Sequence, residues 1–457
     1  MTLNDKFERI EELRLNSVHD LYLVAGQLQV SNIFPIDSWT FFMWLQKQGV
    51  PSKYILKKED SFYDEVANFK DVIAIDSFNK GYELLELEEL WARACAFVVE
   101  WDLGGTEVDY WLHDLPDCRY VFLQHGVIGT CITDLLLYPC KHIYNDINVS
   151  SEREKMLINA ESSSKKCFIG GLPRFEFLKK GSDVINTSEK VIFIMFTWRN
   201  IFSKEPKNIF NSRYWEGLKS LLSHEIVLAY QKNGVKFVVA LHHSLFNNIE
   251  TLQKPFNIDF IEQKEISRWI RDADMFITDF SSASFDFLYQ HKPVIYWIPD
   301  KDDSLYEEGG LDRLKIDSAL EHRRMFFNLA ETLDDVIKYL QIYINNSFYL
   351  EDSKREIADS WFDYRKNFSQ RIFLHIEERL VMERMGYGFA QLLYEKKMRE
   401  LLIQLNDSEN RLKECNCTIE NNQRKVKRLQ KDKKILVSLF VILSILIIVM
   451  VICVRFL

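Results

Sequence analysis

A histidine closes an apolar, β-prone run at Tyr120–Gly126, YVFLQHG, so His125 stands at the carboxyl end of a predicted strand and Gly126 gives the backbone room to turn. In open α/β sheets that edge is where ligands bind, and an imidazole there is suited to take a proton from an attacking hydroxyl. A second pattern, MFITDFSSASFDFLYQHKPVIYW at Met275–Trp297, reads as buried strand, hydroxyl-rich turn, helix and strand. Asp279, Ser281 and Ser282 supply the turn and cap before a helix predicted over Ser284–Gln290, and the amides and hydroxyls gathered there suit a phosphate without a glycine-rich loop. The same serines equally suit plain helix capping.

Three further groups complete a candidate site. His242 ends the strand-like KFVVALHH; neighbours on a strand face opposite sides, so only one of His242 and His243 faces a ligand. Arg199 in FTWRN and Arg174 in GLPR offer guanidinium groups for bidentate phosphate contacts. Each has an alternative use, Arg199 in a salt bridge and Arg174 in closing a turn. Asp279 and Asp286 orient the serine turn or touch the ligand. Neither aspartate has the spacing of a metal cluster.

These residues need a frame of parallel strands with ligand-binding edges. Apolar runs at LYLVAG, DVIAID, CAFVVEW, YVFLQHG and KCFIGG recur through residues 1–185 with amphipathic stretches between them. The polar segment Lys179–Lys190 reads as a linker. Strands at Val191–Phe196, KFVVAL, DFI, MFIT and PVIYW then give a second unit over 186–384, closed by helices.

The ordered set LQHG, GLPRFEFL, FTWRN, ALHH and TDFSSASFDFLYQHKPVIYW, followed by Asp300 and Tyr306, resembles the CDP-glycerol glycerophosphotransferase family of teichoic-acid and capsule enzymes. The resemblance implies a GT-B-like α/β fold, two Rossmann-like domains facing a cleft, with an acceptor-side domain first and a nucleotide-donor domain second. It implies transfer of glycerol phosphate, or a related polyol phosphate, from a CDP-polyol donor to a membrane-linked polyol or glycan, with release of CMP. His125 is then the expected base and His242 a second catalytic group, with Arg199, Asp279, Ser281, Ser282 and Arg174 on the donor phosphates, and the resemblance implies no obligate metal or cofactor. The chain departs from the family pattern after LQHG, where it continues VIGTCITDLLLY, and at Glu176. A GT-B glycosyltransferase using a nucleotide sugar is the nearest alternative, and an inactive membrane-tethered scaffold is another. A scaffold has no need for so many polar groups at strand ends.

Composition narrows the field further. A formal charge of −9 argues against a nucleic-acid binder, which needs an excess of Lys and Arg. No GxGxxG or P-loop is present, and the eight cysteines form no CxxC pair, so a reducing compartment is expected. Residues 385–434 carry an apolar heptad position at Met398, Leu405, Leu412, Ile419 and Val426, suggesting a helical or coiled-coil stalk compatible with a homodimer. The 20 residues 435–454 contain no charge and no proline and are long enough for a transmembrane helix. The basic flank Arg424–Lys434 puts the catalytic domains on the cytoplasmic side of the cell membrane, with the chain anchored once.

Overall fold

The short apolar runs of the first half pair into a parallel sheet because each carries branched or aromatic side chains on both faces, the pattern of a strand covered from both sides. In the computed structural model this sheet has seven strands, β1 (Leu21–Ala25), β2 (Ser52–Lys57), β3 (Val72–Ile75), β4 (Ala94–Val99), β5 (Arg119–Phe122), β6 (Asp146–Val149) and β7 (Cys167–Ile169), in the order β3-β2-β1-β4-β5-β6-β7. The second sheet has six, β8 (Lys190–Met195), β9 (Val235–Ala240), β10 (Ile258–Ile261), β11 (Met275–Thr278), β12 (Val294–Trp297) and β13 (Leu329–Ala330), in the order β10-β9-β8-β11-β12-β13. Every pairing in both sheets is parallel. Strand order reverses at β1/β4 and at β8/β11, and the crevice beyond such a reversal is where doubly wound sheets bind ligands.

The structure describes residues 2–26, 34–60, 62–76, 81–100, 106–128, 143–161, 167–178, 190–203, 206–241, 258–261, 265–307, 310–323 and 328–385. Most of the expected linker, His242 and His243, the stalk and the apolar run 435–454 lie outside them. Among the described residues no helix is long and apolar enough to cross a membrane.

Two strands of the first sheet, β2 and β6, lack the continuous apolar run that marks the others. β6 reads DINV, and its two polar residues hide it from a hydropathy pattern; Asp146 is buried against Arg119, and Asn148 against neighbouring backbone. In β2, Lys53 and Lys57 flank a short apolar run, although Lys57 itself is buried beside Asp60.

The chain divides at Val381, and the first of its two units, Met1–Leu380, is compact and holds both sheets. Within the first, apolar side chains fill both faces of each sheet. One of these cores crosses between the sheets: Val127, Leu172 and Phe175 from the first half pack with Phe285, Tyr289 and Phe368 from the second. Phe175 stacks on Tyr289 with ring centroids 4.4 Å apart. The chain then returns to the first sheet, where Ile372, Ile376 and Leu380 of the helix Phe368–Met385 pack with Tyr22, Val24 and Phe168. The closing helix is thus shared by the two sheets, although its sequence follows the second.

Candidate active site

His125 sits on a turn built by buried polar groups. Directly before it, Gln124 adopts a left-handed backbone with φ of 66°, a conformation that costs a non-glycine residue energy and needs outside support. That support comes from Glu154, whose buried carboxylate accepts from the backbone amides of Ile128 and Ser150 at 2.6 Å each and from the Gln124 side-chain Nε2 at 3.4 Å. Burial pushes the Glu154 carboxyl up to about 7. Asn148 donates to the Leu123 carbonyl at 3.3 Å and the Gly171 carbonyl at 2.9 Å, while its oxygen accepts from the Gly170 amide at 3.0 Å. The turn after β5 is therefore tied to the turn after β7, and Arg174 comes to lie beside His125.

Arg174 joins the two halves of the molecule. Its Nε and Nη2 donate to Asp286 at 2.8 and 3.1 Å, and Asp286 belongs to the helix Ser284–Tyr289 behind β11. Its Nη1 donates to Asp37 at 2.5 Å and to the His125 carbonyl at 3.1 Å, and its backbone amide donates to Asp37 at 2.8 Å. Asp37 opens the helix Ile36–Gln48. All three side chains are buried, so the ion pairs compensate a large desolvation cost through bidentate geometry. Glu100, one residue past β4, completes the cluster. Its Oε2 accepts from the amides of Asp37 and Ser38 at 3.1 and 3.0 Å and from the Ser38 hydroxyl at 3.2 Å.

His125, Arg174, Ser281, Ser282, Glu100 and Asp286 line a single cleft of about 410 Å³ between the two sheets, with Ile36, Phe177 and Ile270 on its apolar walls. The halves also meet at Gly126 and Ser282: a Cβ on Gly126 would collide with the Ser282 hydroxyl. Ser281 caps the following turn, its Oγ accepting from the Ala283 amide at 3.3 Å. The His125 side chain is exposed to solvent through the cleft. Protein atoms around the ring, and secondarily the Arg174 charge, hold its pKa below the ordinary imidazole value, which keeps the ring neutral.

Arg199 occupies a different place from the one expected. Its guanidinium is fully buried, donating to Asp279 at 2.6 Å and to Asp300 at 2.9 and 2.7 Å, with Tyr214 and Phe280 against its faces. Tyr306 donates its hydroxyl to Asp300. Asp279 in turn accepts from the Thr197 amide and hydroxyl, at 2.9 Å for the hydroxyl, and from the Phe280 amide at 2.6 Å. Arg199, Asp279, Asp300 and Tyr306 thus form one enclosed brace behind the Phe280–Ser282 turn, and neither Arg199 nor Asp279 lines the cleft.

Of the predicted residues, the structure gathers His125, Arg174, Ser281 and Ser282 in one cleft. Sequence inspection passed over Asp37, Glu100, Asn148 and Glu154. Glu100, Asn148 and Glu154 interrupt or follow apolar runs with a charged or amide side chain, which was the available signal. Among the described residues no group of three or more His, Cys, Asp and Glu is arranged to hold a metal ion.

Residues 82–378 match the family model for CDP-Glycerol:Poly(glycerophosphate) glycerophosphotransferase. The chain is similar to the minor teichoic acid biosynthesis protein GgaB of Bacillus subtilis, 26% identical over 349 residues that cover 73% of this chain and 37% of that protein. It is also similar to the teichoic acid poly(glycerol phosphate) polymerase of Bacillus spizizenii, 32% identical over 30% of this chain and 36% of the relative, and to the teichoic acid glycerol-phosphate transferase of Staphylococcus aureus, 22% identical over 64% and 80%. The chain spans a little over a third of the length of the first two curated relatives. In fold it is similar to the wall teichoic acid polymerase TagF, with a TM-score of 0.55 and 14% identity over 84% of this chain and 96% of that structure.

Proposed function

The chain belongs to the CDP-glycerol:poly(glycerophosphate) glycerophosphotransferase family, and from that premise we propose that it moves glycerol phosphate, or a related polyol phosphate, from a CDP-polyol to a hydroxyl of a membrane-linked acceptor in teichoic-acid-like or capsular synthesis. The observation that carries the proposal is the convergence of His125 with Ser281, Ser282 and Arg174 in one cleft between the two sheets.

The acceptor oxygen attacks the phosphorus that bears the polyol, forming a new P–O bond as the bridging P–O bond breaks and CMP departs. His125 takes the proton from the attacking hydroxyl, a role that favours a neutral imidazole. Ser281 and Ser282 donate to the donor phosphates, whereas Arg174, its charge already met by Asp37 and Asp286, serves by tying the two halves of the cleft together. His242, next to the end of β9, is proposed as a ligand of the leaving phosphate. Arg199 and Asp279 act from behind, by fixing the serine turn. The first sheet serves the acceptor and the second the nucleotide donor. Residues 385–434 are proposed as a stalk that permits dimerisation, and 435–454 as a single transmembrane helix holding the catalytic domains at the cytoplasmic face.

The test is CMP release by the detergent-solubilised full chain given CDP-glycerol, CDP-ribitol or a panel of nucleotide sugars, with membrane-derived acceptor. CMP from a CDP-polyol is expected. Turnover of a nucleotide sugar alone would assign the chain to the glycosyltransferases instead. Membrane fractionation of the full chain against one truncated at residue 434 checks the anchor.

A further inference from the structure

The cleft contains a carboxyl group that proton abstraction and phosphate binding leave unused. Glu100 follows Val99, the last residue of β4, and Val99 pairs with Phe122 on β5, three residues before His125. The two side chains therefore leave adjacent strand ends and line the same cleft, both from the first sheet. Glu100 is only 3% exposed, yet its two oxygens have different surroundings. Oε2 is saturated by three donors at the start of the helix Ile36–Gln48. Oε1 makes no hydrogen bond among the described residues and is not among the buried atoms left without a partner, so it meets the cleft.

We propose that Glu100 positions the acceptor, its Oε1 hydrogen-bonding the hydroxyl next to the one that attacks, so that a vicinal diol end is selected. The inference rests on the glycerophosphotransferase reading of the cleft. A polyol phosphate chain ends in neighbouring hydroxyls. With one hydroxyl directed at His125, the next carbon presents its hydroxyl to a group one strand away. Burial, with Asp37 beside it, holds a proton on Glu100 at neutral pH, and three donors on Oε2 leave Oε1 as the atom that carries it. Oε1–H then donates to the acceptor oxygen. A buried group built to pair with a substrate hydroxyl rejects an analogue that lacks it.

The experiment measures acceptor KM and kcat for wild type, Glu100→Gln and Glu100→Ala with two synthetic acceptors. One ends in glycerol phosphate and the other in propane-1,3-diol phosphate, which lacks the vicinal hydroxyl. Wild type is expected to prefer the glycerol end by about tenfold or more in kcat/KM. Glu100→Ala should lose that preference while its KM for CDP-glycerol stays within about twofold. Glu100→Gln, which retains a donor on that side and an acceptor for the helix amides, should keep most of the preference. Equal discrimination in wild type and Glu100→Ala would overturn the role of Glu100. So would a rise of well over about twofold in the KM for CDP-glycerol in Glu100→Ala. If Glu100→Ala does not fold, Glu100→Asp, whose shorter side chain withdraws the carboxyl oxygen from the cleft, carries the test, and an undiminished preference for the glycerol end in that variant would overturn the role equally. Absence of CMP release by wild type from any CDP-polyol would instead overturn the transferase reading and this inference with it.

Discussion

Gly126 and Ser282 meet across the cleft: a methyl group at position 126 would overlap the serine hydroxyl, so any larger residue there forces Ser282 to shift. The turn that carries the candidate base and the turn that carries the candidate phosphate donors are therefore in direct contact. Gly126→Ala should reduce kcat by an order of magnitude or more by pushing the turns apart. Ser282→Gly in the same chain should relieve the overlap and recover thermal stability, which differential scanning calorimetry can follow. Full activity in the Gly126→Ala enzyme would show that the contact is dispensable.

The Asp37–Arg174–Asp286 cluster predicts a stability effect. Removing Arg174 leaves two buried carboxylates without their cation, which costs about 3–5 kcal/mol in comparable sites. Arg174→Ala should therefore lower the urea midpoint of unfolding clearly, and Arg174→Lys should recover only part of the loss because an ammonium cannot bond both carboxylates in bidentate fashion. An unchanged midpoint for Arg174→Ala would be incompatible with a closed interdomain cluster.

Arg199 leads to a different expectation, since it is enclosed behind the serine turn rather than open to the cleft. Arg199→Met should destabilise the fold and weaken CDP-polyol binding together, whereas Ser282→Ala should weaken donor binding with little change in melting temperature. Isothermal titration of CDP-glycerol alongside thermal melts separates the two. A stable Arg199→Met protein with selectively lost donor affinity would indicate direct phosphate contact.

Glu100 predicts a pH dependence of stability. Its carboxyl is raised from an ordinary value of 4.5 to about 8 by burial and by Asp37. Between those values the folded chain binds a proton that the unfolded chain releases, so the associated stability is full below about pH 4.5 and is lost as pH rises through about 8. Glu154, raised to about 7, adds to the same decline, and His125, lowered, opposes it below the ordinary histidine range. Glu100→Gln cannot titrate. The difference in melting temperature between wild type and this variant should therefore move in favour of the variant from pH 5 to pH 8, and a pH-independent difference would mean that Glu100 is ionised throughout.

The sequence made the strand ends legible because period and composition mark them: MFIT is β11 residue for residue, and KFVVAL closely brackets β9. His125, Ser281 and Ser282 were found because they follow such runs directly. What stayed hidden depends on contacts far apart in the chain. Arg174 meets residues 137 and 112 positions away, Asp37 and Asp286, and no local pattern announces such a pairing. Arg199 has the same chemical type as a phosphate ligand, and only the fold reveals that Asp279 and Asp300 enclose it. Asp146 and Asn148 break the apolar pattern of β6, and a buried polar residue is recognisable only once its partner is placed.

The most direct measurement is single-turnover CMP release from CDP-glycerol by wild type and His125→Ala, with donor affinity determined on the same samples. Loss of the base should slow release by about 10²–10⁴-fold while leaving CDP-glycerol affinity within a few-fold of wild type. A His125→Ala protein that releases CMP at the wild-type rate would contradict the assignment of His125 as the proton acceptor and the phosphotransfer mechanism built on it.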